Sequence, residues 1–288
     1  MRIVIPAVVA ALSVGTIAFA APAADAGKRE AVPFELRGGH IFVNAYVNGQ
    51  GPYRFGFDTG ASGVGRADVT LTHALSLPVV DSAANSDGVR VSRADVVKVH
   101  RLRVGSLERR SVRLLSRDYH QKGRSAATRF MGIIGRDFFE NRLLTIDYRT
   151  RQITFSRGHL NPDAPGVVRY SPGFAIPLCF AKACFPAKVD TGSSRGLVLP
   201  ESVATKVASG APVRLGTVSR TNSSAALYRV QFDMPMRVSG VALDGGQALF
   251  VKPSTDTINI GSDFLKHYVL TIDQRRHLLR ISRPTVGG

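Results

Sequence analysis

The chain is short of acidic residues: 21 Asp and Glu stand against 38 Lys and Arg in 288 residues, a formal charge of +17. The shortage is local, since between Arg90 and Arg129 twelve basic residues meet only Asp95, Glu108 and Asp118. Such a stretch either contacts polyanions, such as lipid head groups or anionic envelope polymers, or forms a solvated face. No aromatic-rich basic motif able to stack bases accompanies it, so no nucleic-acid partner is expected. Cysteine is also scarce. Cys179 and Cys184 are the only two, with no nearby His, too few ligands to close a tetrahedral zinc shell. The seven His show no His-x-x-x-His spacing, and Ser193 and Ser194 lie outside any Gly-x-Ser-x-Gly frame. Neither a metal, nor a cofactor, nor a serine nucleophile is expected.

Long apolar runs are missing beyond the N-terminus. Residues 3–20 form one, with Ser13 and Thr16 as its only polar side chains, preceded by Arg2 and followed by Ala18-Phe19-Ala20 and Ala21-Pro22-Ala23. A basic start, an apolar centre and Ala-x-Ala sites read as a signal peptide over 1–23. The alternative is an uncleaved anchor, which Pro6 and Gly15 weaken. No Cys follows the run, which disfavours a lipoprotein. No stable membrane span is expected after processing, and the product is expected to be periplasmic or secreted. Export permits a disulfide between Cys179 and Cys184, across a hairpin turning at Ala181-Lys182, with two free thiols in a strand as the alternative.

What is present is a duplication. Gly135-Arg136-Asp137-Phe138-Phe139 returns as Gly261-Ser262-Asp263-Phe264-Leu265, and Leu144-Thr145-Ile146-Asp147 as Leu270-Thr271-Ile272-Asp273, both 126 residues later. Upstream, Phe57-Asp58-Thr59-Gly60-Ala61-Ser62 returns as Val189-Asp190-Thr191-Gly192-Ser193-Ser194, 132 residues later. One Asp-Thr-Gly arises easily by chance; two, each followed in the same order by Gly-x-Asp-Phe, do not.

The local pattern is β throughout. Alternation over 40–47, a turn at 48–51 and renewed alternation over 53–57 describe a hairpin delivering its second strand to Asp58, and 174–179 with 184–189 do the same for Asp190. Pro177 and Pro186 lack amide donors and should sit at an edge or bulge. Further strands are expected over 89–104, 111–115, 143–155, 226–238, 248–251 and 268–282, with short helices over 67–75, 136–141, 201–208 and 262–267. A Gly-, Asn- and Pro-rich linker is expected around 158–171.

The chemistry follows from the motif. Gly60 and Gly192 allow a sharp turn and close backbone approach, while the hydroxyls of Thr59 and Thr191 can brace neighbouring backbone. Two facing turns bring Asp58 and Asp190 together, and carboxylates at that range cannot both ionise, so the pair shares a proton. Asp137 and Asp263 are expected as helix caps, and Asp147 and Asp273 as partners of nearby arginines.

These motifs resemble those of the aspartic peptidase superfamily, in its bacterial retropepsin-like and pepsin-like branch, with both copies on one chain. The resemblance covers about 34–282. It implies an all-β, bilobal fold of two β-barrel-like lobes with a cleft between them: an N-terminal extension over 24–33, lobes over 34–157 and 172–288, and the linker over 158–171. It implies an endopeptidase cleaving a peptide or protein substrate with Asp58 and Asp190 as the catalytic pair. Thr59, Gly60, Thr191, Gly192 and Ser193 would support the pair. Ile133-Ile134-Gly135 and Asn259-Ile260-Gly261 would pack beneath it. Asn259 departs from the apolar pattern, so the second turn is expected to be less tightly supported. Ala61 stands opposite Ser193, whose hydroxyl is expected to reach one carboxylate. A hairpin flap is expected over 81–93, turning at Ser86, Asp87 and Gly88, with 219–225 as its counterpart. The competing reading is a non-catalytic protein holding a peptide or polyanion in the same cleft.

Overall fold

In the computed structural model the described residues are 31–86, 91–119, 129–219, 224–254 and 256–284. The signal-peptide segment lies outside them, as do most of the extension, Asp87 and Gly88 of the flap turn, residues 220–223 of its counterpart, and Arg90 and 120–128 of the basic stretch.

The alternating segment forms the hairpin its pattern implies, His40–Val47 paired antiparallel with Gln50–Phe57. Asn48 and Gly49 make its turn, both at positive φ (53° and 87°), which suits the twist of the flanking strands. The second copy is Ala175–Phe180 against Ala183–Asp190, with Cys179 directly opposite Cys184 and joined to it by a disulfide. Pro177 faces Pro186 across this hairpin. Outer pairing begins only past them, at Leu178–Phe180 on one side and Ala187–Asp190 on the other. Neither missing amide therefore interrupts a ladder.

Each half then repeats one arrangement. In the first, Gln50–Phe57 runs parallel to Gly132–Ile134, which pairs antiparallel with Gly65–Asp68, which runs parallel to Leu107–Arg117. In the second, Ala183–Asp190, Ile258–Gly261, Leu197–Val198 and Gly246–Lys252 stand in the same order and senses. The halves build an eight-stranded and a nine-stranded sheet. A third sheet of six strands takes strands from both. At its centre the two Leu-Thr-Ile-Asp copies pair with each other, Leu143–Asp147 antiparallel to Val269–Asp273 about Thr145 and Thr271. The chain is thus nearly all β, as its pattern implies.

The core lies beneath the two Asp turns. Phe55, Phe57, Ile134, Phe138 and Phe139 are fully buried in the first half, and Val189, Ile260 and Leu265 in the second. Each such side chain contributes about 1.5–3 kcal/mol by leaving water.

Several expectations change. The single strands expected over 143–155 and 268–282 are hairpins, Leu143–Asp147 with Gln152–Ser156 and Val269–Asp273 with Leu278–Ser282. Asp147 and Asp273 make the turns by accepting backbone amides, Arg149 and Thr150 on one and Arg276 on the other, so their carboxylates serve turns and not guanidinium groups. Asp273 also accepts from Leu160 N. Asp137 and Asp263 are not caps: Gly135 and Gly261 occupy those positions, and the aspartates lie in the first turn behind them. The segment read as linker holds a short strand, Val167–Arg169, paired with Leu278–Ser282. The flap arms form a hairpin of Val79–Ser86 and Val91–Val104. Among the described residues no helix is long and apolar enough to cross a membrane.

Candidate active site

Asp58 follows the last residue of its strand, and its amide donates to Ile134 O at 3.0 Å; Asp190 ends its own strand beside Gly261. The two Asp-Thr-Gly turns are locked reciprocally. Thr59 N donates to Thr191 Oγ1 at 3.1 Å and Thr191 N to Thr59 Oγ1 at 3.0 Å, while Thr59 Oγ1 donates to Val189 O and Thr191 Oγ1 to Phe57 O at 2.9 and 2.8 Å. Both threonines are fully buried. Four hydrogen bonds thus join chain segments about 130 residues apart.

The carboxyls meet across this brace. A Cβ on Gly60 would lie 2.5 Å from Asp190 Oδ1, and one on Gly192 2.2 Å from Asp58 Cγ, so each aspartate packs on the other motif's glycine. Only Gly admits that approach. Gly135 and Gly261 are equally confined from below, where a Cβ would meet Gly63 O at 2.4 Å and Arg195 O at 2.2 Å.

The two carboxyls differ. Asp58 Oδ1 accepts Gly60 N at 2.8 Å and Ala61 N at 3.0 Å. Asp190 Oδ1 accepts Gly192 N at 2.9 Å, and its Oδ2 accepts Asn259 Nδ2 at 2.8 Å. Burial first, then the charge of Asp190 and a hydrogen bond with it, push the Asp58 carboxyl up to about 8; the Arg66 charge and Gly60 N–H pull the other way.

Asn259 therefore does not loosen the second turn: it supplies a donor to its carboxylate. The hydroxyl of Ser193 makes no bond to either carboxylate; its amide donates to Asp190 O. Two supports escape sequence reasoning. Ser262 Oγ donates to Thr191 O at 3.0 Å and shares a 3.2 Å hydrogen bond with Tyr148 Oη, tying the second turn to a residue of the first half. The one available signal was the exchange of Arg136 for Ser262 between repeats.

Of the flap residues, Ser86 ends the strand Val79–Ser86 opposite Val91, while Asp87 and Gly88 lie outside the described residues. The basic stretch divides: Arg93, Lys98, Arg101, Arg110 and Arg113 are exposed, whereas Arg109 turns inward onto Phe138 O and Glu140 O. Arg110 and Arg113 pair with Glu108 and Asp81. Among the described residues no cluster of three His, Cys, Asp or Glu could hold a metal ion.

No curated protein matches the chain. Residues 43–138, which contain Asp58, Thr59, Gly60 and Gly135, match the aspartyl protease family model. That match supports the chain's membership of the aspartic peptidase superfamily.

Proposed function

We propose that the chain is an exported aspartic endopeptidase in which Asp58 and Asp190 act as one dyad. The observation that carries this reading is the reciprocal packing of each carboxyl on the other motif's glycine, which holds two acids where only one proton is lost easily. The family match indicates peptidase function, and the geometry suggests how the roles divide. Asp190, each of whose oxygens is held by an N–H donor, from Gly192 and from Asn259, is assigned the part of general base. Asp58, pushed up by burial and by Asp190, is suited to carry the shared proton.

In this reading Asp190 takes a proton from a water held between the carboxyls. The water oxygen attacks the scissile carbonyl carbon, and Asp58 gives its proton to the carbonyl oxygen. The tetrahedral intermediate then collapses, the C–N bond breaks, and the departing amine leaves with a proton returned from the dyad. No covalent bond to the protein forms. Substrate would lie extended, held by main-chain hydrogen bonds, with the 79–104 hairpin as its flap. The exposed arginines of that hairpin and the next strand support contact with an anionic envelope surface.

The test is cleavage of a diverse peptide mixture from acidic to neutral pH by the wild type, Asp58→Ala and Asp190→Ala. Cleavage by the wild type alone is expected. Equal inertness of all three, with a peptide still bound, would replace the enzyme by a binding protein. Export is tested separately by cell fractionation and N-terminal sequencing, which should find a product beginning after Ala20 or Ala23.

A further inference from the structure

We propose that Arg66, Arg117 and Tyr119 form a subsite beside Asp58 that takes the carboxylate of an acidic substrate side chain, an inference that rests on the peptidase reading. The strand register places the group. Gly56, two residues before Asp58, is flanked by Ile133, then Arg66, then Leu115 across four adjacent strands. Residues in register share a face, as do residues two apart in a strand, so Arg66 and Arg117 stand on one face of this sheet. That face is open at Gly56, where even an added Cβ would meet nothing closer than Ile133 Cγ1 at 3.7 Å. The matching position in the second half shows where the face leads. Asn259, the counterpart of Ile133, reaches Asp190 from it.

Three polar atoms there are buried with no partner in good hydrogen-bond geometry, Arg66 Nη1, Arg117 Nη2 and Tyr119 Oη, although the Arg117 guanidinium is close enough to act on the Tyr119 hydroxyl. Tyr119 is 7% exposed, and the Arg117 guanidinium lies over its ring at 5.6 Å. A buried donor left unsatisfied costs about 1–3 kcal/mol, and three in one place are best explained by an acceptor that arrives with a ligand. Asp68, in register with Arg117, accepts the backbone amides of Thr70 on Oδ1 and Tyr119 on Oδ2.

The duplication shows that the fold does not demand these charges. Arg66 pairs with Leu115 as Val198 pairs with Leu249, so Val198 is the counterpart of Arg66 and Val251 that of Arg117. Val251 is buried. Where one half is satisfied by two valines, the other places two guanidinium groups, whose planar fork of N–H donors suits a carboxylate. The subsite would therefore lie on the Asp58 side of the cleft only.

The test uses the purified full chain and capped peptides, acetylated and amidated so that a side chain is the only carboxylate. Glu is compared with Gln at each position in turn. At one position Glu is expected to raise kcat/KM about 10–100-fold over Gln. Arg66→Lys should keep part of that preference, and Arg66→Glu should reverse it in favour of Lys. If Arg66→Glu does not fold by circular dichroism, Arg117→Gln is read in its place, with loss of the Glu preference expected. Cleavage with no position favouring Glu, or a preference unchanged in the folded variant, overturns the subsite and leaves the peptidase reading intact. If nothing is cleaved, the same peptides are measured by equilibrium binding. An Arg66-dependent preference for Glu then upholds the subsite while the peptidase reading fails, and no preference overturns both.

Discussion

Asn259 donates its Nδ2–H to Asp190 Oδ2 at 2.8 Å, and the residue in the same register beside Asp58 is Ile133, which has no donor to give. The two halves are thus equivalent in backbone and differ in what holds the second carboxylate oxygen, since Asp58 takes both its amide donors, Gly60 N and Ala61 N, on Oδ1. Asn259→Ile, which copies the first half, releases Asp190 Oδ2 from its anchor. A fall in kcat of about 10-fold with KM little changed is expected, the loss of one positioning hydrogen bond. An unchanged kcat would mean that Asn259 does not position the base.

The raised Asp58 has a consequence for stability. Its carboxyl titrates from an ordinary value of 3.8 when unfolded to about 8 when folded. Between these values the folded chain keeps a proton that the unfolded chain has lost, so this contribution is complete below about pH 4, falls as pH rises, and is gone above about pH 8. Asp58→Asn has no such proton to lose. Relative to wild type its stability should improve steadily from pH 4 to pH 8, measured by denaturant midpoints. Parallel curves would show that Asp58 titrates normally.

The threonine brace should be worth more than ordinary surface hydrogen bonds because all four of its members are enclosed. Thr59→Val preserves shape but leaves Val189 O and Thr191 N unpaired. A loss of about 2–5 kcal/mol in urea unfolding is expected. Thr191→Val removes the other two bonds, Thr59 N to Thr191 Oγ1 and Thr191 Oγ1 to Phe57 O, yet both pairs hold the same two turns together, so once one pair is gone adding Thr191→Val should cost clearly less than it does alone. Additive losses would show that the two sides are independent.

Much of this site was legible in the chain because the duplication prints it twice. Asp58, Asp190 and their glycines stand out in the sequence itself, and so do both hairpins leading to them. What was hidden depends on side-chain direction and on contacts distant in sequence. Asn259 looked like a flaw in an apolar pattern, since nothing in the sequence says which way its amide points. The Tyr148, Ser262 and Thr191 chain joins residues from both halves. Strands of two to four residues, such as Leu197–Val198, Gly132–Ile134 and Gly65–Asp68, are too short for alternation to register. The hairpin turn after Asp147 has no Gly or Pro; it is made by the Asp147 carboxylate and by Arg151 at φ 54°.

The most direct test of the account is whether Asp58 and Asp190 act as a single unit. Asp58→Asn, Asp190→Asn and the double variant are compared with wild type by kcat on one cleaved peptide. Each single change is expected to lower kcat by about 1,000-fold or more, with the double variant no worse than either. A single variant retaining near wild-type turnover, or losses that multiply in the double variant, would contradict a shared dyad.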